Sequence, residues 1–320
     1  MARASVHRTC AVRPRRPVAT RLLVVIACAA CIHAPSSELP PRFPFSTDSL
    51  RTQYLAPGVV HRFVYAAAGP WAIHELQIDL DRCYTPRAVK GVAGAVGREK
   101  TSVLLAHLAD SERVVGGVNG DFFSLTAPAG VPVGVLVTRG RLVTRPGPQP
   151  AVALDSASTV RIARFHVADD RRAPHVVDSV SAGVTLQPFH PREAVGGRPL
   201  LVRDSMTVAD VDTTGQPGFA TGRHPRTAAG LARNGKRLIL VVVDGRQKPY
   251  SDGMTLRELA NLMVALGARD ALNLDGGGST TMVYADPDSG GRLRIANRPS
   301  DKEGERPVGD ALAVVRGCGK

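Results

Sequence analysis

Aromatic residues are scarce in this 320-residue chain: phenylalanine, tryptophan and tyrosine together make up 4% of it, with a single Trp. Proteins that bind single-stranded nucleic acid stack the bases on aromatic side chains beside basic groups. So few rings disfavour such a surface, even though the formal net charge is +13. The sequence therefore predicts that nucleic acid is not a partner.

The basic excess is concentrated at the N-terminus. Residues 1–34 contain six Arg and no acidic residue, so the remainder carries 13 − 6 = +7, which is ordinary for a soluble protein that binds anions. The apolar run at 22–32 that follows the arginines is too short to span a bilayer. We interpret residues 1–34 as a signal peptide or lipoprotein leader, and the Pro-rich residues 35–50 as an exposed tether.

Only two of the five cysteines, Cys83 and Cys318, lie beyond the leader. In an exported protein they either pair or remain separate thiols, and both alternatives stay open. The run Val-Ile-Ala-Cys at 25–28 resembles a lipobox, with Val in place of the usual Leu. Lipidation of Cys28 would attach the protein to a membrane, whereas plain cleavage near Ala34 would release it. We expect a periplasmic, extracellular or lipid-anchored protein of the bacterial cell envelope.

The rest of the chain, 51–320, is expected to form one domain, because no linker divides it. Residues 59–65 and 71–80 alternate apolar and polar side chains, as half-buried strands do, with a hairpin at Gly69-Pro70. A short helix is predicted over 101–108. The apolar runs at 114–118, 131–137, 151–154 and 160–167 predict further strands.

The last hundred residues carry the clearest signals. Residues 236–243 end in a continuous apolar run, typical of a strand buried on both faces, and Asp244 follows at once. A helix is predicted over 255–266, with a capping box of Thr255 and Glu258 and a stop at Gly267. A strand at 271–274 then leads to Asp275. This order predicts neighbouring parallel strands that bring Asp244 and Asp275 to one edge of the sheet.

The segment after that strand, Asp-Gly-Gly-Gly-Ser-Thr-Thr at 275–281, has the composition of a polar site. Consecutive glycines are expected where the backbone takes positive φ or where a ligand approaches its amides. The alternative is a tight loop without function. No Lys follows the glycines as in a P-loop, and no Gly-x-Ser-x-Gly surrounds a serine, so kinase and α/β-hydrolase functions are disfavoured.

Two further segments could contribute to a site. Asn-Gly-Asp-Phe-Phe at 119–123 follows an apolar run, and its alternative is a strand-ending turn. Arg226, held beside Pro225, could present its planar fork to a phosphate or carboxylate, and its alternative is a surface salt bridge. The charges at 297–310 are more typical of a solvated loop.

Together these segments resemble the phosphodiester glycosidase family, in order from about Arg51 to Val315. The matching runs are NGDFF at 119–123, HPRTA at 224–228, VVVDGR at 241–246, GMTLxELA at 253–260, ALNLDGGGSTTMV at 271–283, and NxPSD with GERPV at 297–308. The resemblance implies an α+β fold, with a mixed β-sheet flanked by helices. It does not establish the substrate.

The resemblance also implies a hydrolase that cleaves the bond between the anomeric carbon of an N-acetylglucosamine-like sugar and a phosphodiester oxygen. Because phosphate leaves as a stable anion, a cation can do much of the work of a general acid, and Arg226 is the candidate. Candidates for the base, or for the carboxylate that stabilises the sugar transition state, are Asp275, Asp244 and Glu305. Asn119 and Asp121 are expected to hold sugar hydroxyls. Phosphate or sugar oxygens are expected to bind at Thr227, Gly276, Gly277, Ser279 and Thr280.

Two other functions stay open: a non-catalytic cell-wall or polysaccharide-binding module with the same pocket, and a metal-dependent phosphodiesterase that breaks the phosphorus–oxygen bond. No His or Cys spacing indicates a metal site, so no cofactor is required, although Asp-rich loops can bind a divalent cation. The expected partner is a sugar phosphodiester or a cell-surface glycan.

Overall fold

The computed structural model describes residues 43–90, 96–144, 149–166, 175–180, 183–188 and 190–317. The predicted leader, the lipidation of Cys28, and Cys318 with the question of its pairing lie outside these ranges. Cys83 is disulfide-bonded. No helix within the described ranges is long and apolar enough to cross a membrane.

Strands dominate the fold, and two α-helices form in the described ranges, α1 (Thr101–Ala109) and α2 (Leu256–Ala265). The strands in chain order are β1 (Ser49–Ala56), β2 (Val59–Ala66), β3 (Trp71–Asp79), β4 (Tyr84–Val89), β5 (Arg113–Asn119), β6 (Leu136–Thr138), β7 (Arg141–Thr144), β8 (Gln149–Asp155), β9 (Val160–His166), β10 (His175–Val180), β11 (Gly183–Pro188), β12 (Pro191–Gly196), β13 (Leu200–Arg203), β14 (Met206–Thr207), β15 (Arg226–Ala232), β16 (Arg237–Val243), β17 (Ala268–Asn273), β18 (Met282–Asp286), β19 (Arg292–Ile295) and β20 (Ala311–Arg316).

These strands form three sheets. Their orders are β1-β2-β3-β16-β15-β17-β13-β14, β11-β10-β9-β8-β12-β6-β7 and β19-β18-β5-β20-β4. Every strand pairing among the described residues is antiparallel. The expected α+β fold with a mixed sheet flanked by helices is therefore wrong: the protein is mostly β.

The prediction of neighbouring parallel strands is wrong because β15 lies between β16 and β17 and pairs with both. The strands β16 and β17 therefore run in the same direction two places apart. Helix α2 connects them, and the predicted capping box of Thr255 and Glu258 is confirmed. Even so, the ends of β16 and β17 and the start of β15 lie at one edge of the sheet, as the site prediction required.

The central strand β16 is buried on both faces, which confirms the prediction made from its continuous apolar run. Leu238, Leu240 and Val242 belong to the large core into which all three sheets contribute side chains. The alternate residues Ile239, Val241 and Val243 belong to a second core that includes the apolar face of α2. Helix α1 packs separately, against the five-stranded sheet.

Candidate active site

A cleft of about 270 Å³ opens at the sheet edge where β15 begins and where β16 and β17 end. Four of its lining residues are cationic or imidazole side chains, two are phenylalanines, and Asp275 is the one carboxylate among those in the described part of the chain. The lining residues are Phe122, Phe219, His224, Pro225, Arg226, Arg246, Asp275, Gly276, Gly277 and Arg306. Such a surface suits an anionic ligand with an apolar face.

Asp275 lies two residues after β17, at the start of the glycine-rich loop that crosses from the eight-stranded to the five-stranded sheet. Burial raises the pKa of its carboxyl to about 6, against the opposing effects of the Gly276 amide and of the charges on Arg306 and Arg198. A carboxyl group with this pKa changes protonation state near neutral pH, which suits acid–base work.

Glycine is required at two positions of this loop. A Cβ on Gly276 would lie 2.6 Å from the Pro225 carbonyl oxygen. Gly277 has φ +62°, and a Cβ there would lie 3.1 Å from Arg246 Nη1. The glycines therefore allow the loop to pack against the cleft wall. Their amides are already used, because Gly276 N donates to Asp275 Oδ1 and Gly277 N to the Pro225 carbonyl. The sequence had suggested that these two amides would bind a phosphate, but both already donate within the protein.

Asn119 supports the loop from behind. It is completely buried, its Nδ2 donates to the Asp275 carbonyl at 2.7 Å, and its Oδ1 accepts from Thr227 Oγ1 and Thr281 N. This bonding makes Asn119 and Thr227 positioning residues. The expectation that they touch the substrate does not agree with these contacts.

Asp121 is also buried behind the cleft, where its two oxygens accept from the Phe122 and Gly134 amides. Burial raises its pKa to about 7. A second buried carboxylate, Asp310, accepts from the Asp121 amide through Oδ1, while Oδ2 has no hydrogen-bond partner among the described residues. Burial and then the Asp121 charge raise the Asp310 pKa well above its usual value. Asp121 thus lies too deep to hold sugar hydroxyls.

These carboxyls make stability depend on pH. A carboxyl whose pKa is raised by folding stabilises the protein below its unfolded value, near 3.8, and loses that contribution as pH rises through the folded value. We therefore expect a lower Tm at pH 8 than at pH 5. In Asp310→Asn the difference should shrink by several degrees, because each pKa unit is worth about 1.4 kcal/mol. Thermal unfolding at both pH values measures it, and an unchanged difference would contradict the assignment.

Asp244 does not line the cleft. It is buried, and its carboxylate accepts from Asn297 Nδ2 at 2.9 Å, from the Arg298 amide at 3.1 Å and from the Tyr250 hydroxyl at 3.0 Å. Burial raises its pKa to about 6, opposed by these bonds. Since Asn297 Nδ2 also donates to the Thr280 carbonyl, Asp244 anchors the far end of the glycine-rich loop.

For Asp244→Asn we expect a loss of stability larger than any direct effect on chemistry. The new amide group would face three donors, and losing charge-assisted bonds costs about 2 kcal/mol or more at pH 8. That corresponds to a fall in Tm of roughly 4–8 °C. The gap from the wild type should be wider at pH 5, because the raised pKa makes the wild type, and not the variant, lose stability as pH rises through about 6. If Asp244→Asn instead kept the wild-type Tm but lost turnover, Asp244 would be a catalytic residue.

Glu305 lies away from the cleft, at the N-terminus of α1. Its two oxygens accept from the Ser102 amide at 2.7 Å and from Ser102 Oγ at 2.6 Å. A carboxylate in this position accepts a hydrogen bond from a helix amide that has no partner within the helix, and its negative charge is stabilised by the positive end of the helix dipole. Its contacts make it a capping residue, not the third catalytic candidate.

Arg226 lines the cleft, but most of its guanidinium faces the protein. It is 2% exposed, its Nε donates to the Met254 carbonyl at 2.8 Å, and its Nη2 donates to the carbonyls of Phe219 and Gly222. Burial lowers its pKa to about 10, so it stays charged. Only Nη1 lacks an acceptor in the described part of the chain. Arg226 therefore holds the 219–222 segment and cannot offer a two-pronged fork.

Arg246 takes the position that the sequence had assigned to Arg226. It is exposed, its guanidinium lies over Gly277, and no carboxylate within the described ranges forms an ion pair with it. Its φ of +59° is unusual for a residue with a side chain, and such strain concentrates at functional sites. Arg306 lines the same cleft and is held by Asp301 through two hydrogen bonds, at 2.8 and 3.1 Å.

His224 completes this wall. Its Nε2 lies 3.2 Å from the Gly218 carbonyl, and its Nδ1 lies 3.4 Å from Arg246 Nη2. Burial, followed by the charges of Arg226 and Arg246, lowers its pKa, so the ring is neutral at pH 7. A proton on Nε2 satisfies both contacts. His224 and Arg246 lie within the motifs quoted above, and this was the signal in the sequence that could have identified them.

The hydroxyls of Ser279 and Thr280 are buried and have no hydrogen-bond partner among the described residues. Ser279 nevertheless lies near enough to Asp275 to oppose the rise in its pKa. Neither residue lines the cleft directly. Within the described ranges, no group of three or more His, Cys, Asp or Glu side chains is arranged to hold a metal ion.

The sequence profile of the phosphodiester glycosidase family matches residues 112–315, which is more than half of the chain and includes every cleft residue. The chain belongs to this family. A search of the curated proteins finds no match.

Solved structures similar to this chain share its fold at low sequence identity. A Burkholderia pseudomallei protein, named as a candidate exported protein, has a TM-score of 0.62 and 19% identity over 88% of this chain and 99% of its own. A Synechocystis hypothetical protein has a TM-score of 0.59 and 18% identity, over 84% of this chain and 64% of its own. A third structure is the catalytic domain of zebrafish N-acetylglucosamine-1-phosphodiester alpha-N-acetylglucosaminidase, auto-inhibited by its pro-peptide. It has a TM-score of 0.59 and 20% identity, over 84% of this chain and 87% of its own.

Proposed function

We propose that the protein is a hydrolase that releases an N-acetylglucosamine-like sugar from a phosphodiester by breaking the bond at the anomeric carbon. The observation that carries this proposal is the composition of the cleft. Among its lining residues in the described part of the chain, Asp275 is the single carboxylate, and it shares the surface with the guanidiniums of Arg246 and Arg306. A glycoside with an ordinary leaving group needs a second carboxyl as general acid. A phosphate leaves as an anion, so cations can replace that acid.

In this mechanism Arg246 and Arg306 hold the phosphate and stabilise the charge that develops as the bond to carbon breaks. The bonding electrons leave with the phosphate oxygen, and a water oxygen adds to the anomeric carbon. Asp275, as a carboxylate, takes the proton of that water or stabilises the positive sugar ring. Phe122 and Phe219, with centroids 5.9 Å apart, provide the apolar wall for the sugar.

Isotope labelling tests the proposal. The purified protein is incubated in oxygen-18 water with methyl N-acetylglucosamine 1-phosphodiester, and the products are analysed by mass spectrometry. The proposed reaction places the label on the sugar. Label in the phosphate would identify the alternative phosphodiesterase, and saturable binding without product would identify a binding module.

We also propose that the protein is exported. The basic and apolar segments at 1–34 support this location, as does the name of the Burkholderia neighbour. Fractionation of the producing cell tests it, and retention of the full-length chain in the cytoplasm would contradict it.

A further inference from the structure

A second and larger cavity, of about 670 Å³, lies apart from the cleft residues. Strands β1, β2 and β3 form one side of it, outside the family-matched segment, and β18 with the segment around Asn297 forms the other. None of its residues lines the candidate active site. They are Arg51, Thr52, Gln53, His61, Phe63, His74, Tyr250, Tyr284, Ala296, Asn297 and Arg298.

Aromatic rings are concentrated at this cavity, although they are scarce in the chain. His61 stacks on Tyr284 with centroids 4.8 Å apart and on His74 at 5.4 Å, and Phe63 packs on His74 at 4.9 Å. The two imidazoles share a 3.1 Å contact, and burial keeps both neutral by lowering their pKa values to about 4 and about 3. The proposed reaction uses none of these rings.

Two guanidiniums accompany the rings. Arg51 lies over Phe63 at 4.9 Å, and Arg298 lies over Tyr250 at 5.5 Å. Neither has a carboxylate within ion-pair distance in the part of the chain that the structure describes. The acids near this cavity have other partners: Asp244 accepts from the Arg298 amide, and Asp286 and Asp288 accept from Gln53 Nε2. Guanidiniums held over rings keep their charge and are oriented for a planar anion.

We propose that this cavity binds an anionic sugar residue, carrying a carboxylate or a phosphate. Ring walls with a few polar groups suit the apolar face and the hydroxyls of a sugar, and the two arginines suit its acid group. The choice of a sugar over another ring-shaped anion rests on the proposed function. The charge requirement rests on Arg51 and Arg298 alone.

Calorimetry on the purified protein tests the site with four probes. Hyaluronan tetrasaccharide presents carboxylates, glucose 6-phosphate presents a phosphate, chitotetraose is neutral, and uridine monophosphate is a flat aromatic anion. We expect the first or the second to bind and to show which acid group is preferred. Arg51→Gln and Arg298→Gln should each weaken that binding about tenfold or more.

Arg233→Gln removes the same charge at an exposed position and should bind like the wild type. Arg51→Gln should also hydrolyse a small sugar phosphodiester at the wild-type rate, so failure of this site and failure of the proposed function are separate results. Affinities unchanged in both cavity variants would overturn the proposal. So would equal or tighter binding of chitotetraose or uridine monophosphate, and so would binding that is lost only in Arg246→Gln.

Discussion

Replacement of Asp275 by asparagine is expected to lower kcat by about a hundred- to ten-thousand-fold, which is the usual contribution of a positioned acid–base group. The change is nearly isosteric, and the asparagine oxygen can still accept the Gly276 amide. In the wild type, kcat/KM should fall as pH drops through about 6, because the carboxylate becomes protonated. Steady-state kinetics on a sugar phosphodiester between pH 4.5 and 8.5 measure both effects.

Asp288→Asn is a matched control, since Asp288 is exposed and bonds Gln53 far from the cleft. It should keep full turnover and the same pH profile. Both variants should melt within a few degrees of the wild type. Near-normal turnover in Asp275→Asn would remove the central assignment.

Arg246→Gln is expected to lower kcat/KM for phosphodiesters about ten- to a hundred-fold, the loss of one or two charge-assisted hydrogen bonds. Arg246→Lys should restore little, because an ammonium lacks the planar fork. The loss should depend on the substrate. An activated aryl N-acetylglucosaminide, which has no phosphate, should be affected much less.

The comparison of the two substrates is the measurement that decides the role of Arg246. Equal losses on both would mean that Arg246 positions the glycine-rich loop or binds the sugar. Arg226→Lys provides a contrast, since Arg226 bonds three backbone carbonyls. It should lower the Tm and affect both substrates alike.

Local patterns in the sequence predicted individual elements well but did not predict how strands would pair. The alternation at 59–80 and the capping box at Thr255 are local signals, and the elements formed there. Strand pairing depends on segments that are distant in the chain. The residues around β16 and β17 therefore did not indicate that β15 lies between these two strands. At 131–137 only the end became a strand, because the Gly134 amide bonds Asp121 instead of a neighbouring strand.

For the candidate site, the sequence predicted which segments would come together better than it predicted the contacts of each side chain. Asp275, its loop and Arg226 do meet at one sheet edge. The sequence could not show that the Asp244 carboxylate would accept hydrogen bonds from Asn297 and Arg298, or that Glu305 would cap α1 at Ser102, since these partners are distant in the chain. Nor could it show that Arg246 reaches the cleft while Arg226 faces inward.

The glycine-rich loop is also a joint between two separately hydrogen-bonded sheets. It leaves β17 in one and enters β18 in the other, and Asn119, at the end of β5, bonds it near both ends. A chain in which only one sheet had formed would have no cleft at all. During refolding, hydrolytic activity should therefore return with the last structural signal, and the amides of Asn119 and Thr281 should exchange hydrogen only through opening of the whole domain.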